Sequence, residues 1–328
     1  MVRRPFLFVR CGDEGTRRLP VGKLGASLAQ RLLGDETMPN AGEKLRALID
    51  KGEHFIAGEA FSALTGRISQ MVGFPAVYMG GHACSAFHYA VPDNGIFSQV
   101  EMIDQSSRIA QALDIPLIAD ADTLGETVAD AYHFTRRYIH AGVGGYHVED
   151  EVNPKHSRFV NGLCSIDDMQ ARIDAGVCAR RDVGQDIVII ARCDEMYPSD
   201  RGGGGTGNLE EAIRRGTAYV EAGADVLFFP PMRTCVPDLV KAFPNTPVAT
   251  MGFSVPGAAF NMSTGLGWVG AAKLHLDRSR ELFATGKVEG VDMDFPEKYE
   301  LIDQPFYDEL IAKWAEKTGR PTRPNSAR

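Results

Sequence analysis

Residues 186–194, DIVIIARCD, form an almost unbroken apolar run that ends in charged residues. Similar short runs recur along the chain, and each is followed by a longer segment with helical periodicity. They are residues 54–58 (HFIAG), 76–80 (AVYMG), 115–120 (IPLIAD), 145–150 (GYHVED), 225–230 (DVLFFP), 247–251 (PVATM) and 260–264 (FNMST). Apolar runs without alternation are typical of strands buried on both faces of a parallel sheet. Seven or eight strand–helix units therefore predict an α/β fold, a (β/α)8 TIM barrel.

The segments between these runs carry helix start and stop signals. Asn208 is a suitable N-cap with Glu211 three residues later, which predicts a helix to about Ala222. Gly223 is then expected to end that helix. An open, doubly wound sheet is the alternative fold. It would place a glycine-rich phosphate-binding turn after the first strand, and GEAFSALTG at 58–66 is not such a turn.

Three regions are expected along the chain. Residues 1–50 are predicted to be an N-terminal extension followed by a helix, over 38–51, that closes the bottom of the barrel. Residues 51–290 are predicted to form the catalytic barrel. Residues 291–328 are predicted to be a C-terminal helical segment, with an amphipathic helix over 305–317 and a disordered tail from 318.

Composition excludes several classes of function. The 328 residues hold 35 Lys and Arg against 43 Asp and Glu, a net charge of −8, which disfavours nucleic acid as a partner. The six cysteines form no CxxC pair and predict reduced thiols. The N-terminal run PFLFV is too short for a signal peptide, and no stretch has 18 apolar residues. We therefore expect a cytoplasmic protein without a membrane partner.

Acidic residues cluster where the predicted strands end. Asp120 and Asp122 end one strand, Glu149 ends the next, and Asp194 follows Arg192 on the third. Catalytic groups of a barrel lie at these carboxyl ends. Converging carboxylates repel unless a cation neutralises them, and oxygen ligands favour Mg²⁺, with Mn²⁺ as the other candidate. The alternative is that these acids cap the following helices or pair with Arg192.

The loop after residue 150 is polar and basic. Its sequence over 153–162, NPKHSRFVNG, predicts a lid that carries Lys155, His156, Ser157 and Arg158 over the barrel mouth. A solvated surface loop is the alternative. Arg192 ends an otherwise apolar strand, where its guanidinium group suits two-point binding of a carboxylate, from a substrate or from Glu149.

Together these motifs resemble the isocitrate lyase/phosphoenolpyruvate mutase superfamily, over about residues 55–286. The segments that carry the resemblance are GFPAVYMGG (73–81), VPDNG (91–95), IADADT (118–123), HVEDEVNPK (147–155) and IIARCDE (189–195). The resemblance implies a (β/α)8 barrel and a small carboxylate substrate. It also implies a homo-oligomer, a dimer or a tetramer, in which pairs of subunits exchange C-terminal helices.

The resemblance further assigns roles to individual residues. It implies Mg²⁺ near Asp120 and Asp122, with Asp93 and Glu149 as further metal-holding acids. Arg192 matches the arginine that contacts an α-keto acid. The loop whose backbone N–H groups would bind the carboxylate of that acid matches Tyr78, Gly80, Gly81 and His82. The implied chemistry is the making or breaking of a bond through a pyruvate-like enolate, whose charge Mg²⁺ and Arg192 would stabilise.

Departures from the family pattern leave the reaction open. Lyases carry a cysteine general acid on the lid, whereas this chain has KHSRF at 155–159. Mutases and phosphonopyruvate hydrolases carry Lys-x-Asn-Ser, whose asparagine is absent too. Pro230-Pro231 replaces the lyase Pro-Glu, and TMGF at 250–253 replaces Asn-Met-Thr/Val-Glu. The rebuilt position Thr250 is a candidate substrate-binding residue.

Three hypotheses follow. The first is a Mg²⁺-dependent carbon–carbon lyase for a small 2-hydroxy or 2-oxo carboxylic acid. In it Tyr78 takes a hydroxyl proton, His156 replaces the missing thiol as acid, and Lys155 is a further catalytic residue. The second is a phosphonopyruvate mutase or hydrolase, or an oxaloacetate decarboxylase or hydrolase, with Lys155, Ser157 and Arg158 holding a phosphonate. The third is a non-catalytic barrel.

Overall fold

The structure is a computed structural model. It describes residues 6–9, 17–20, 39–157, 162–197, 203–230, 235–252, 254–288, 290, 293 and 295–320. The chain divides into two compact units, one of residues 39–288 and one that combines 1–38 with 289–328. The predicted region boundaries at residues 50 and 290 stay predictions.

The larger unit is a closed barrel of eight parallel strands, which confirms the predicted (β/α)8 fold. Its strands run in chain order around the barrel, and the last pairs with the first. They are β3 (Phe55–Glu59), β4 (Ala76–Met79), β5 (Leu117–Asp120), β6 (Gly145–Glu149), β7 (Val188–Arg192), β8 (Val226–Phe228), β9 (Val248–Met251) and β10 (Phe260–Met262). Each of the eight apolar runs identified in the sequence overlaps one of these strands, and seven of them contain the whole strand; β3 extends one residue past its run, to Glu59.

Helices follow most of the strands, and several begin where the sequence places a capping residue. The N-cap Asn208 accepts the backbone N–H of Glu211 at 3.2 Å, as predicted. Ser62, Ser98 and Thr127 form reciprocal capping boxes. The helices of this unit are α1 (Ala41–Asp50), α2 (Ala63–Val72), α3 (Gly81–Cys84), α4 (Gln99–Gln111), α5 (Val128–His140), α6 (Ile166–Val183), α7 (Leu209–Glu221), α8 (Val236–Ala242) and α9 (Leu266–Thr285).

Alternate residues of each strand face the barrel interior. In β7, Val188 and Ile190 belong to the interior cluster, whereas Ile189 and Ala191 pack in the layer between the strands and the helices. Leu45 of α1 joins the interior cluster and is fully buried, so this helix packs against the bottom end of the barrel. The same alternation decides which residues at the strand ends face the mouth.

An ion-pair cluster fixes α1 to the bottom of the barrel. Arg46 donates to both carboxylate oxygens of Asp186, at 2.7 and 2.9 Å, and to Asp225 at 3.1 Å. Arg180 donates to the other oxygen of Asp225 at 2.6 Å. Partial burial by itself would raise the pKa of Asp186, but the hydrogen bonds and charge of Arg46 outweigh it and lower the pKa.

The smaller unit contains an antiparallel pair, β1 (Phe6–Val9) with β2 (Arg17–Pro20), and two helices, α10 (Phe295–Leu301) and α11 (Gln304–Thr318). The last of these contains the helix predicted over 305–317. The tail predicted to be disordered lies mostly outside the described residues. Among the residues that the structure describes, no helix has the length and apolar content needed to cross a membrane.

Candidate active site

Four neighbouring strands direct polar side chains into the mouth of the barrel. Tyr78 of β4, Asp120 of β5, Glu149 of β6 and Arg192 of β7 share the strand alternation of the interior cluster. All four side chains are buried. The structure therefore brings these predicted site residues together at the carboxyl ends of the strands, where barrel enzymes carry their catalytic groups.

Asp120 organises the loops around it. Its Oδ2 accepts the backbone N–H of Gly81 at 2.9 Å, and its Oδ1 accepts that of Asp122 at 3.0 Å. Nε2 of His147 lies 3.5 Å from Oδ1. Burial alone would raise the pKa of Asp120, but His147, with the cations Lys155 and Arg192, outweighs burial and lowers the pKa. Asp120 is therefore an ionised carboxylate.

Lys155 inserts its ammonium group among three carboxylates. Its Nζ contacts Asp122, and lies 3.2 Å from Asp93 Oδ1 and 3.4 Å from Glu149 Oε1. The side chain is fully buried, and Asn94 donates to its backbone oxygen at 3.0 Å. Burial acts to lower the pKa of Lys155, but these carboxylates outweigh it and raise the pKa, so the ammonium stays charged.

Arg192 is held by acids on two sides. Its Nε and Nη2 donate to the two oxygens of Asp194 at 2.8 and 2.7 Å. Its Nη1 lies 2.8 Å from Glu149 Oε2. Glu149 thus lies between Arg192 and Lys155 and contacts both cations. The predicted pairing of Arg192 with Glu149 is present, and the pairing with Asp194 leaves a defined edge of the guanidinium group turned to the site.

His156 lies beside Lys155 in the loop predicted to be a lid. Its backbone has a positive φ of 53°, and its N–H donates to Glu151 Oε1 at 2.7 Å. Its Nδ1 is 3.2 Å from Glu151 Oε2, and its Nε2 is 3.8 Å from Asp93 Oδ2. Burial opposes the charged imidazole, but the hydrogen bond to Glu151 outweighs it and raises the pKa of His156. Ser157 follows directly, and Arg158 lies outside the described residues.

The loop after β4 approaches Asp120 closely. Gly80 and Gly81 are buried, and a Cβ at Gly81 would lie 3.1 Å from Asp120 Oδ2, which favours glycine there. His82 is exposed and packs against the ring of Trp268, with centroids 5.2 Å apart. The backbone N–H of Gly81 donates to Asp120. This segment therefore fixes the position of a site carboxylate and also borders the mouth of the barrel.

Thr250 is the predicted site residue that lies apart from the interior set. It is fully buried on β9, next to Ala249, whose side chain belongs to the interior cluster. Its hydroxyl donates to the backbone oxygen of Phe260 at 3.3 Å, and lies 3.2 Å from Asn261 Oδ1. By strand alternation its side chain faces away from the barrel interior, whereas the side chains of Ala249 and Met251 face the interior.

His147, to which the sequence pattern assigned no role, lies at the centre of the site. Its Nε2 lies 3.0 Å from the hydroxyl of Tyr78. It precedes Glu149 by two residues on β6, so strand alternation alone would have shown that both side chains face the same way. Asp194 was named among the acids at the strand ends, with pairing to Arg192 as the alternative role, and that pairing is present. Glu151 was not assigned a role, because its role depends on its contact with His156.

The donor groups fit a divalent cation. Asp120, His147 and Glu149 are fully or almost fully buried, and one potential ligand atom of each lies within 4.8 Å of the others. Two cations approach the oxygens of Glu149, but neither oxygen accepts a well-aligned hydrogen bond from the described residues. Lys155 offsets at most one of the three carboxylates that it contacts. Oxygen-rich sites with a residual negative charge suit Mg²⁺ or Mn²⁺, and His147 offers a nitrogen ligand.

Comparisons with known proteins show the family to which the chain belongs. The sequence model of the family described as phosphoenolpyruvate phosphomutase matches residues 45–267. The chain belongs to this family, which confirms the resemblance predicted from the sequence.

Curated relatives include enzymes with different reactions. The chain is 36% identical over 191 residues to 2,3-dimethylmalate lyase of Eubacterium barkeri, a match that covers 58% of this chain and 63% of that protein. It is 35% identical over 205 residues to phosphonopyruvate hydrolase of Variovorax sp. (strain Pal2), covering 61% of this chain and 67% of that protein. The chain therefore matches somewhat less than two thirds of the length of the dimethylmalate lyase.

Solved structures show the same fold. A crystal structure of 2,3-dimethylmalate lyase has a TM-score of 0.73 and 25% identity, and covers 84% of this chain and 100% of that one. A complex of phosphonopyruvate hydrolase with oxalate and Mg²⁺ has a TM-score of 0.73 and 27% identity, and covers 84% of this chain and 99% of that one.

Proposed function

We propose that this protein is a Mg²⁺-dependent carbon–carbon lyase that acts on a small 2-hydroxy or 2-oxo carboxylic acid through an enolate. One observation carries the proposal. Glu149 Oε2 lies 2.8 Å from Nη1 of Arg192, and Glu149 also belongs to the buried group formed with Asp120 and His147. A cation suited to a substrate carboxylate therefore lies next to a candidate metal site. That pairing suits a substrate whose carboxylate and neighbouring oxygen must be held together.

The metal would be held by Asp120 and Glu149, and Nε2 of His147 would stay available to accept a proton from Tyr78. Asp122 and Asp93, the other acids assigned by resemblance, would balance its charge from positions beside Lys155. When bound, Mg²⁺ supplies electrostatic stabilisation of negative charge on the substrate oxygens. Arg192 would bind the substrate carboxylate, because its guanidinium group is fixed on one edge by Asp194 and is charged. The backbone of Gly80, Gly81 and His82 would border that carboxylate.

Tyr78 and His147 form a pair suited to receiving the hydroxyl proton. Burial raises the pKa of Tyr78 well above its usual value, so the phenol is protonated. It accepts a proton only while it passes its own to Nε2 of His147, 3.0 Å away. The substrate C–O–H then becomes a carbonyl, the adjacent carbon–carbon bond breaks, and its electron pair stays on the departing fragment as an enolate.

The departing enolate must then gain a proton. His156 is the proposed donor, because its pKa is raised and it lies beside Lys155 at the mouth, with Glu151 orienting its ring. Lys155 would stabilise the negative charge of the intermediate, and Ser157 and Arg158 would contact the departing fragment. Thr250 would affect substrate binding only indirectly, because its hydroxyl donates to the backbone oxygen of Phe260 on β10.

The experiment is a turnover screen with 2-hydroxy and 2-oxo dicarboxylic acids that differ in alkyl substitution. Released 2-oxo acid is trapped as a hydrazone for the 2-hydroxy substrates, and products are followed by proton NMR for the 2-oxo substrates, which would react with the trap themselves. Both readouts are taken with Mg²⁺ and after treatment with EDTA. We expect turnover with Mg²⁺, loss in EDTA, recovery on adding Mg²⁺ back, and loss in the Arg192→Lys variant. Full turnover in EDTA would contradict the proposal.

A second candidate is carbon–phosphorus chemistry, as in a phosphonopyruvate hydrolase or mutase. The similarity to phosphonopyruvate hydrolase supports it, and so does the buried ammonium of Lys155 next to Ser157. Phosphorus NMR with phosphonopyruvate separates the two, because only this candidate predicts inorganic phosphate or phosphoenolpyruvate as a product. Oxaloacetate in the same screen tests decarboxylase and hydrolase activity. A protein that binds neither Mg²⁺ nor oxalate would favour the non-catalytic barrel.

We also propose that the protein is a homo-oligomer, a dimer or a tetramer. Helix α11 exposes four large apolar side chains at helical spacing, which place them on one face: Tyr307, Leu310, Ile311 and Trp314. Exposed apolar stripes of this kind are typical of association surfaces. Light scattering after size exclusion should show a mass that is a multiple of the 35.7 kDa chain, and Ile311→Asp should lower it. A monomer would contradict the proposal, including the exchange of C-terminal helices.

A further inference from the structure

The guanidinium group of Arg192 is oriented by a two-point contact. Its Nε and Nη2 donate to the two oxygens of Asp194 at 2.8 and 2.7 Å, and both side chains are buried. A fork-to-fork contact of this kind fixes the plane of the guanidinium group as well as its position. The contact leaves Nη1 facing the site, where it approaches Glu149.

Asp194 is in turn held by the strand next to its own. Its backbone N–H donates to Oδ1 of Asp150 at 2.8 Å. Asp150 follows the end of β6 and Asp194 lies just beyond the end of β7, and both are fully buried. The backbone from which the Asp194 carboxylate projects is therefore fixed relative to β6.

The other oxygen of Asp150 is held from the helix layer. The hydroxyl of Tyr219, on α7, donates to Oδ2 of Asp150 at 2.6 Å, and Arg215 donates to the same oxygen at 3.3 Å. Arg215 also donates to the backbone oxygen of Cys164 at 3.0 Å. Tyr219 is fully buried in the layer between helices and strands. A continuous series of hydrogen bonds thus runs from α7 to the guanidinium group.

We propose that Tyr219, Asp150 and Asp194 are positioning residues that set the orientation of Arg192 from the helix layer. The inference rests on the proposed function in one respect, namely that Arg192 binds the substrate carboxylate. An arginine that is oriented in advance avoids the loss of side-chain entropy on binding, and so binds a carboxylate more tightly. Removing the distant hydroxyl of Tyr219 should therefore weaken carboxylate binding.

The first measurement reads the orientation of Arg192 without any ligand. The full-length protein is labelled with ¹⁵N-arginine, and the Nε–H signal of Arg192 is assigned by its loss in Arg192→Lys. In the wild type we expect one signal that exchanges slowly with water. In Tyr219→Phe we expect exchange to quicken by about tenfold, the factor that corresponds to the loss of one hydrogen bond.

The matched control is Tyr146→Phe. Tyr146 is also fully buried, and its hydroxyl lies 2.8 Å from that of Thr135, between β6 and α5. This variant removes a buried tyrosine hydroxyl without touching the series that leads to Arg192. We expect it to lower the melting temperature by an amount similar to Tyr219→Phe, while leaving the Arg192 signal unchanged.

The second measurement is oxalate affinity by calorimetry in the presence of Mg²⁺. We expect Tyr219→Phe and Asp194→Asn to weaken oxalate binding by about 10- to 100-fold, the range for removing a partner that orients a binding group. Tyr146→Phe should bind like the wild type. Asp194→Asn breaks the series at its near end, and supplies the same test if Tyr219→Phe does not fold.

The outcomes separate this inference from the proposed function. If Tyr219→Phe and Tyr146→Phe give the same Arg192 signal and the same oxalate affinity, the positioning role is overturned. If the wild type binds no oxalate but the Arg192 signal still depends on Tyr219, positioning is supported and the proposed function fails.

Discussion

The ammonium nitrogen of Lys155 lies 3.4 Å from Oε1 of Glu149, and both side chains are fully buried. Lys155 also contacts Asp122 and Asp93, so one lysine of the predicted lid neutralises part of the charge of the candidate metal site. The position of the loop therefore depends on its contacts with the acids, and the charge of the acids is balanced in part by the lysine of the loop. A buried carboxylate that loses its cation is left with an uncompensated charge.

Lys155→Met should therefore destabilise the metal-free protein. Breaking a buried ion pair by removing one partner costs about 3–5 kcal/mol. Mg²⁺ should restore more stability to this variant than to the wild type, because the acids are then free to bind it. Urea unfolding with Mg²⁺ and with EDTA measures both effects. Lys273→Met, at an exposed pair with Asp277, is the control and should change little. Equal stability of the two variants would contradict the burial of Lys155.

Asp120→Ala should abolish Mg²⁺ binding and turnover while the barrel stays folded. The variant also loses the acceptor for the N–H groups of Gly81 and Asp122, which costs about 1–3 kcal/mol for each buried donor left unpaired. Calorimetry with Mg²⁺ and circular dichroism measure these effects, with the exposed Asp182→Ala as control. Retained Mg²⁺ binding would show that Asp120 is not a ligand.

The fold could be predicted from the sequence because the barrel imposes one pattern throughout. Runs such as 186–194 are apolar on both faces, and this pattern has few other structural meanings. Capping residues such as Asn208 act locally, so their effect is visible in the sequence as well.

The site was harder to predict because its contacts join residues distant in sequence. The acids at the strand ends were identified, but the pairing of Lys155 with Asp93 spans a loop whose path only the folded chain defines. His147 was not assigned a role because a histidine within an apolar strand resembles a core residue. For Thr250, the resemblance to the family marked the position in the sequence but not the direction in which the side chain faces. Strand alternation directs that side chain away from the barrel interior.

The bottom ion-pair cluster should make stability depend on acid pH. The pKa of Asp186 is lowered in the folded protein, so its contribution is fully present above the unfolded value of about 3.9 and is lost as the pH falls below it. Asp186→Asn should cost about 1–2 kcal/mol at pH 7, because a partly exposed ion pair is weakened by solvent. Urea unfolding of both proteins at pH 7, 5 and 3.5 should show the difference shrinking at the lowest pH. A difference that grows on acidification would contradict this account.

Two helical glycines should respond to alanine in opposite directions. A Cβ at Gly42 of α1 would lie 2.1 Å from the backbone oxygen of Asp186, so Gly42→Ala should cost about 1–3 kcal/mol by forcing α1 away from β7. Gly270 of α9 has nothing within 4 Å of that position, so Gly270→Ala should stabilise by about 0.5–1 kcal/mol. Thermal unfolding of both variants gives the comparison. Equal effects would mean that α1 does not close the barrel tightly.

A crystal structure of the protein with Mg²⁺ and oxalate tests the central claim most directly. The account predicts an ion in contact with Asp120 and Glu149, and oxalate between that ion and Arg192. An ion bound elsewhere, or oxalate without contact to Arg192, would contradict it.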